Sequence, residues 1–155
     1  MPRLAFATIG DLLTQALLGG DFEIYRGLFA LPNRITPRGD LSYVIQTEAE
    51  LREDFALYHS NLTGRGVTDI FRQVIDFTVI YPNHVKVRVL THIMVRAQRI
   101  VDPFETHFYL VEQPDGWRIC EIESAGGHIN WSLGRLEIKA GAFVAKQKGD
   151  PDDQA

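Results

Sequence analysis

"ETHFYLVEQPDGWRICEIES", residues 105–124, alternates apolar and polar side chains on both sides of Pro114-Asp115-Gly116. A period of two marks strands and the Pro-Asp-Gly cluster marks a tight turn, so the segment reads as two antiparallel strands. Strand parity sorts its side chains into two rows. One row holds Glu105, His107, Tyr109, Trp117, Ile119, Glu121 and Glu123; the other holds Phe104, Thr106, Phe108, Leu110, Cys120 and Ile122. Whether His107, Glu121 and Glu123 form a catalytic cluster or only the wet side of a sheet depends on which row the rest of the chain covers.

The same period extends upstream. Residues 68–80 and 85–98 read as two more strands, separated by "YPNH" and followed by a link around residues 100–103. Short links make an antiparallel meander of four strands, 68–80, 85–98, 104–112 and 117–125. Folding about Ile100 and Val101 sets Arg96 opposite Glu105, Met94 opposite His107 and His92 opposite Tyr109; folding about the Pro-Asp-Gly turn sets His107 beside Glu123. Val85, Val87, Val89, Thr91, Ile93 and Val95 join the row of Phe108 and Leu110, a nearly continuous apolar face. Burying each large aliphatic side chain is worth about 1.5–3 kcal/mol, so this face is the one that helices must cover. The histidine and glutamates then fall on the outer face, where they suit ordinary cross-strand pairs.

The N-terminal half supplies the cover. Ile9, Leu13 and Leu17 recur at helical spacing up to Gly19-Gly20, and Asp21 caps a second helix through Phe22, Tyr25, Leu28 and Phe29 that Pro32 stops. Residues 34–36 and 41–45 flank "PRGD" as a small hairpin. Thr47 and Glu50 form a capping box before Leu51, Phe55, Tyr58 and Leu62, which lie along one helical face. Residues 128–145 read as an extension packed on a single domain of residues 1–127, and the polar residues 146–155 read as a disordered tail.

Composition narrows the function. The 155 residues are 45% hydrophobic, with net charge −4 and no Lys/Arg block, which argues against nucleic acid as a partner. The single cysteine, Cys120, excludes an internal disulfide and fits a reduced thiol in an intracellular, cytoplasmic setting. No run approaches the ~20 apolar residues of a membrane span. The five histidines show no metal-ligand spacing, and nothing calls for a cofactor.

Two or three helices with an interleaved hairpin, then a long meander ending in "GWRICEIES", resemble the nuclear transport factor 2-like superfamily, in particular its SnoaL-like branch. The resemblance covers residues 9–124. It implies an α+β fold in which N-terminal helices pack on a strongly curved, mainly antiparallel sheet to form a cone, with a pocket for a small, largely apolar molecule inside. It also implies chemistry of the isomerase, dehydratase or cyclase kind, or none, since the superfamily includes noncatalytic binding modules. Where many enzymatic relatives place a histidine and an asparagine on the first long strand, this chain has Ile70 and Val74, and its last strand carries no aspartate.

Polar residues facing the cone are the candidates for chemistry, because an unpaired buried polar group is costly. With unbroken alternation, Ile70, Arg72, Val74 and Asp76 point inward together. Asp76 would then be a general acid or base of raised pKa, with Tyr58 beside it. Arg72, Tyr25, Thr91 and Phe108 would line the ligand site, Arg72 orienting an anionic or carbonyl-bearing group. Such a role calls for a cavity of about 300 Å³ or more. The outer face, with Met94, Leu90, Ile119, Tyr109 and Trp117 among its polar groups, suits a homodimer interface. A noncatalytic ligand-binding or dimerisation module is therefore the alternative reading.

Overall fold

In the computed structural model, which describes residues 2–38, 41–124, 136–139 and 142–145, the Thr47 hydroxyl accepts the Glu50 N–H at 3.1 Å and the Glu50 carboxylate accepts the Thr47 N–H at 3.1 Å. This capping box satisfies donors that a helix start leaves unpaired, and it opens α3 (Glu48–Gly64). Ahead of it come α1 (Pro2–Gly19) and α2 (Phe22–Leu28), the latter capped by Asp21, which accepts the Ile24 N–H at 3.1 Å. α2 stops before Pro32 is reached: Phe29 is already extended and begins a strand.

Between α1 and α2 the chain turns at Gly20, whose φ is +72°. A Cβ there would meet His59 Nε2 at 2.8 Å, so backbone conformation and space both call for glycine. His59 itself donates from Nδ1 to the Leu17 carbonyl and stacks on Phe55. It is a half-buried strut between α3 and the end of α1.

The sheet contains β1 (Phe29–Arg38), β2 (Leu41–Ile45), β3 (Asp69–Tyr81), β4 (His84–Val95), β5 (Gln98–Arg99), β6 (Phe104–Gln113) and β7 (Gly116–Ser124). Its order is β2-β1-β7-β6-β4-β3, with β5 paired to β4. Among the described residues only the β1–β7 pairing is parallel. A separate antiparallel hairpin of β8 (Leu136–Lys139) and β9 (Ala142–Ala145) sets β9 against α3 and β2. Residues 128–135, 140–141 and 146–155, the remainder of the expected extension and tail, lie outside the described residues.

The helices cover the concave side of this curved sheet, the side on which Val85, Val87, Val89 and Leu110 are all 0% exposed. The four-strand meander is present, with a different register between β4 and β6. Arg96 and Ala97, at φ +50° and +69°, turn the chain earlier than Ile100 and pair Val95 with Gln98. Glu105 consequently faces Leu90, and His107 faces Arg88. Because the displacement is even, the residues keep their faces.

Two bulges do change faces. Between Val74 and Asp76 the register of β3 on β4 shifts, leaving Ile75 as the extra residue, and between Glu121 and Ile119 the register of β7 on β6 shifts around Cys120. A bulge inserts one unpaired residue and so reverses parity beyond it. Asp76 accordingly pairs with Arg88 on the outer side, is exposed, and accepts the Phe77 N–H. The inward position expected for it is overturned. Ile119, expected outside, is fully buried opposite Leu110, and Trp117 lies beside α1 and α2 residues. Cys120 leaves the inner row and points its Sγ at the Tyr109 carbonyl, and burial pushes its thiol up to about 11.

Candidate functional site

The helix-covered side of the sheet does not close completely. A cavity of about 60 Å³ remains between α1, α2, α3 and the sheet, with Leu13, Leu17, Ile35, Ile70, Phe104 and Phe108 forming its apolar wall. Five of the six residues expected at the site line it: Tyr25, Tyr58, Arg72, Thr91 and Phe108. Asp76 does not.

The acid in this cavity is Asp54. α3 places it three residues after Leu51 and four before Tyr58, which puts it in the helix's inward stripe beside Phe55. The Tyr43 hydroxyl on β2 donates to Asp54 Oδ1 at 2.9 Å. Burial raises its carboxyl to about 6, the Tyr43 hydrogen bond holds it back, and neighbouring Glu53 adds to the rise. Desolvation penalises the charged form, whereas a donor to the carboxylate favours it. A carboxyl that changes charge near pH 6 inside an apolar wall is suited to give or take a proton close to neutrality.

Three phenols surround it. Tyr25 is 5% exposed and packs on Phe55, with ring centroids 4.6 Å apart; burial pushes its hydroxyl, and those of Tyr43 and Tyr58, above the ordinary phenol value. These phenols keep their protons, and that of Tyr43 is the one donated to Asp54.

The sheet contributes a polar floor. Arg72 on β3 faces Thr91 on β4, and Thr106 and Ser124 lie opposite each other on β6 and β7. The Thr91 and Thr106 hydroxyls are 3.0 Å apart, and both residues are 5% exposed. Arg72 Nη1 donates to the Gly10 carbonyl at 3.1 Å and to Thr14 Oγ1 at 2.7 Å, which anchors it to α1. Its guanidinium carbon lies 5.9 Å from the Phe108 ring centroid. Burial lowers its pKa from the ordinary arginine value.

The acidic row of residues 105–124 is on the outside. Glu105 binds Arg88 at 2.7 Å and His107 Nε2 at 2.9 Å, and His107 Nδ1 meets Glu123 at 3.0 Å. The His107 and Arg88 hydrogen bonds hold the Glu105 carboxyl below its usual range. Glu105–Arg88 and His107–Glu123 are cross-strand pairs of a solvated face and Glu105–His107 is a pair along β6, with Arg88 taking the place expected for Arg96. Among the described residues no three His, Cys, Asp or Glu side chains gather as a metal site, and no helix is long and apolar enough to cross a membrane.

No family model and no curated protein matches the chain. Solved structures do. An NTF2-like protein of unknown function from Shewanella oneidensis superposes with a TM-score of 0.61 at 12% identity, covering 81% of this chain and 99% of that one. A domain of unknown function with a cystatin-like fold from Nostoc punctiforme gives a TM-score of 0.59 at 11% identity, over 81% and 76% of the two chains. A candidate ketosteroid isomerase from Shewanella frigidimarina gives 0.59 at 20% identity, over 78% and 94%.

Proposed function

With the NTF2-like, cystatin-like fold as the frame, we propose that the cone takes up a small, largely apolar molecule and that Asp54 moves a proton on it, in chemistry of the isomerase, dehydratase or cyclase kind. The observation that carries this reading is the Asp54 carboxyl, raised to about 6 on the wall of an apolar cavity with the Tyr43 hydroxyl directed at it. The ionised carboxylate would take a proton from a carbon next to a carbonyl. Tyr58 or Tyr25, holding its own proton, would hydrogen-bond the oxygen on which charge develops. The protonated Asp54 would then return the proton at a second carbon. Asp54 thus takes the role expected of Asp76. The description of the Shewanella frigidimarina neighbour is compatible with such chemistry.

A cavity of about 60 Å³ is well below the roughly 300 Å³ of a drug-sized site, and below the ~150 Å³ that accommodates benzene. The reading therefore concerns ligands of a few heavy atoms. Acetone is a suitable probe: deuterium exchange at its methyl groups in D2O, followed by NMR, should accelerate with the native chain and drop to background in Asp54→Asn. Absence of acceleration, or acceleration that Asp54→Asn leaves intact, refutes the assignment.

The second reading, a noncatalytic module that dimerises through the outer sheet face, is favoured by Phe71, which faces outward from edge strand β3 and is 55% exposed. Half-buried Leu90 and Met94 share that face. The two readings are compatible, since they use opposite sides of the sheet.

A further inference from the structure

Arg72 is a cation inside the cone that no acid among the described residues neutralises. Among the described residues no carboxylate comes within ion-pair distance of its guanidinium; Asp11 and Asp69 act on it only through their more distant field. Arginine carries five N–H groups. Nη1 uses two of them on Gly10 and Thr14 of α1, and the three on Nε and Nη2 meet no acceptor among the described residues. The helix contact immobilises the guanidinium and leaves part of its fork available. Arg72 is half-buried, and a charge partly removed from water normally has a counter-charge, so the lack of one among the described residues calls for an explanation.

The neighbouring floor is rich in donors as well. Thr91 is the direct cross-strand partner of Arg72, and Thr106 lies within hydrogen-bonding distance of Thr91. In a pair of hydroxyls one hydrogen joins the two oxygens and the other is left to donate elsewhere. Phe108 and Leu13 supply apolar surface to the same cavity, and its volume admits only a few heavy atoms.

We propose that the cone selects small carboxylates, the carboxylate seated on Arg72 and the Thr91–Thr106 pair and the short apolar remainder against Phe108. The inference rests on the small-molecule reading of the cavity and adds the charge class of its occupant. It gives Arg72 the counter-ion that the described residues do not supply, and it places the bound anion on the sheet side while the acid stands on α3. Asp54 is the opposing charge within the cavity, so its protonated form favours the complex. Tyr43 donates to Asp54, and Tyr25 and Tyr58 are neutral phenols within its field.

Fluoroacetate and fluoroacetamide, of five heavy atoms each, provide the test. They are nearly isosteric, the first is ionised at pH 5.5, and ¹⁹F NMR reads millimolar binding of each to the full chain. At that pH fluoroacetate should bind about tenfold more tightly than the amide, as expected when a charge-assisted hydrogen bond replaces a neutral one. Its binding should shift the Arg72 Nε–H resonance, and Arg72→Met should abolish the preference. Because that variant also loses the α1 anchor, the comparison within the native chain stands by itself. Equal or tighter binding of the amide, or an unmoved Nε–H resonance, overturns the carboxylate inference and leaves a neutral-ligand pocket standing. Failure of both probes to bind overturns the small-molecule reading as well.

Discussion

Replacing Asp54 by Asn should change how stability depends on pH, and the size of the change follows from the site. In the unfolded chain the carboxyl has its ordinary value near 3.8, and in the folded chain it stands at about 6. Between these limits the folded state holds a proton that the unfolded state releases, so stability falls as pH rises. The contribution of Asp54 is full below about pH 4 and is lost as pH passes through 6. At 1.36 kcal/mol per pH unit, a span of about two units amounts to roughly 3 kcal/mol, an upper figure for a half-buried carboxyl. Asparagine keeps the shape and carries no charge, so Asp54→Asn should gain on the native chain by up to about 3 kcal/mol between pH 4 and pH 8. Subtracting the two proteins cancels every other titrating group; Tyr25, Tyr43 and Tyr58 stay protonated throughout. Urea unfolding of both proteins at half-unit steps measures the difference. A constant difference across that range would refute the placement of Asp54 in a desolvated site, and one of opposite sign would mean that the carboxylate is stabilised there.

Phe71→Asp, or Met94→Asp, should convert a native dimer into a monomer with unchanged circular dichroism, as measured by light scattering after gel filtration; a monomeric native chain would dispose of the outer-face interface. Removing residues 125–155 takes away β9, which lies against α3 and β2. The thermal midpoint should drop by several degrees, corresponding to about 1 kcal/mol or more, and an unchanged midpoint would make that hairpin energetically idle.

The layering of this fold was legible in the sequence because burial enforces parity. Val85, Val87 and Val89 cannot face water together, and that constraint survived an incorrect turn position between β4 and β6. Helix boundaries were legible where side chains close them, as at Asp21, Thr47 and Glu50. What misled was counting through a bulge. Neither Ile75 nor Cys120 advertises itself as an extra residue, since both are apolar members of apolar strands, yet each reverses everything beyond it. Asp76 was thereby placed inside and Ile119 outside.

Asp54 was missed although its signal was present. Leu51, Phe55, Tyr58 and Leu62 define the inward stripe of α3, and an acid at Leu51+3 and Tyr58−4 falls within it. The stripe was read only for its apolar members. The pairing with Tyr43 had no comparable signal, because it depends on how β2 sits over α3, and contacts between separate elements leave no period in the chain.

A ¹³C NMR titration of the Asp54 carboxyl, in the native chain and in Tyr43→Phe, puts the central assignment to the most direct test. The midpoint should fall at about 6 in the native chain. It should rise by about one unit or more once the phenol no longer donates, since a hydrogen bond to a charged group is worth about 1.5–3 kcal/mol. A midpoint near 4 that Tyr43→Phe does not move would show a solvated surface acid, and the cone would have no proton carrier.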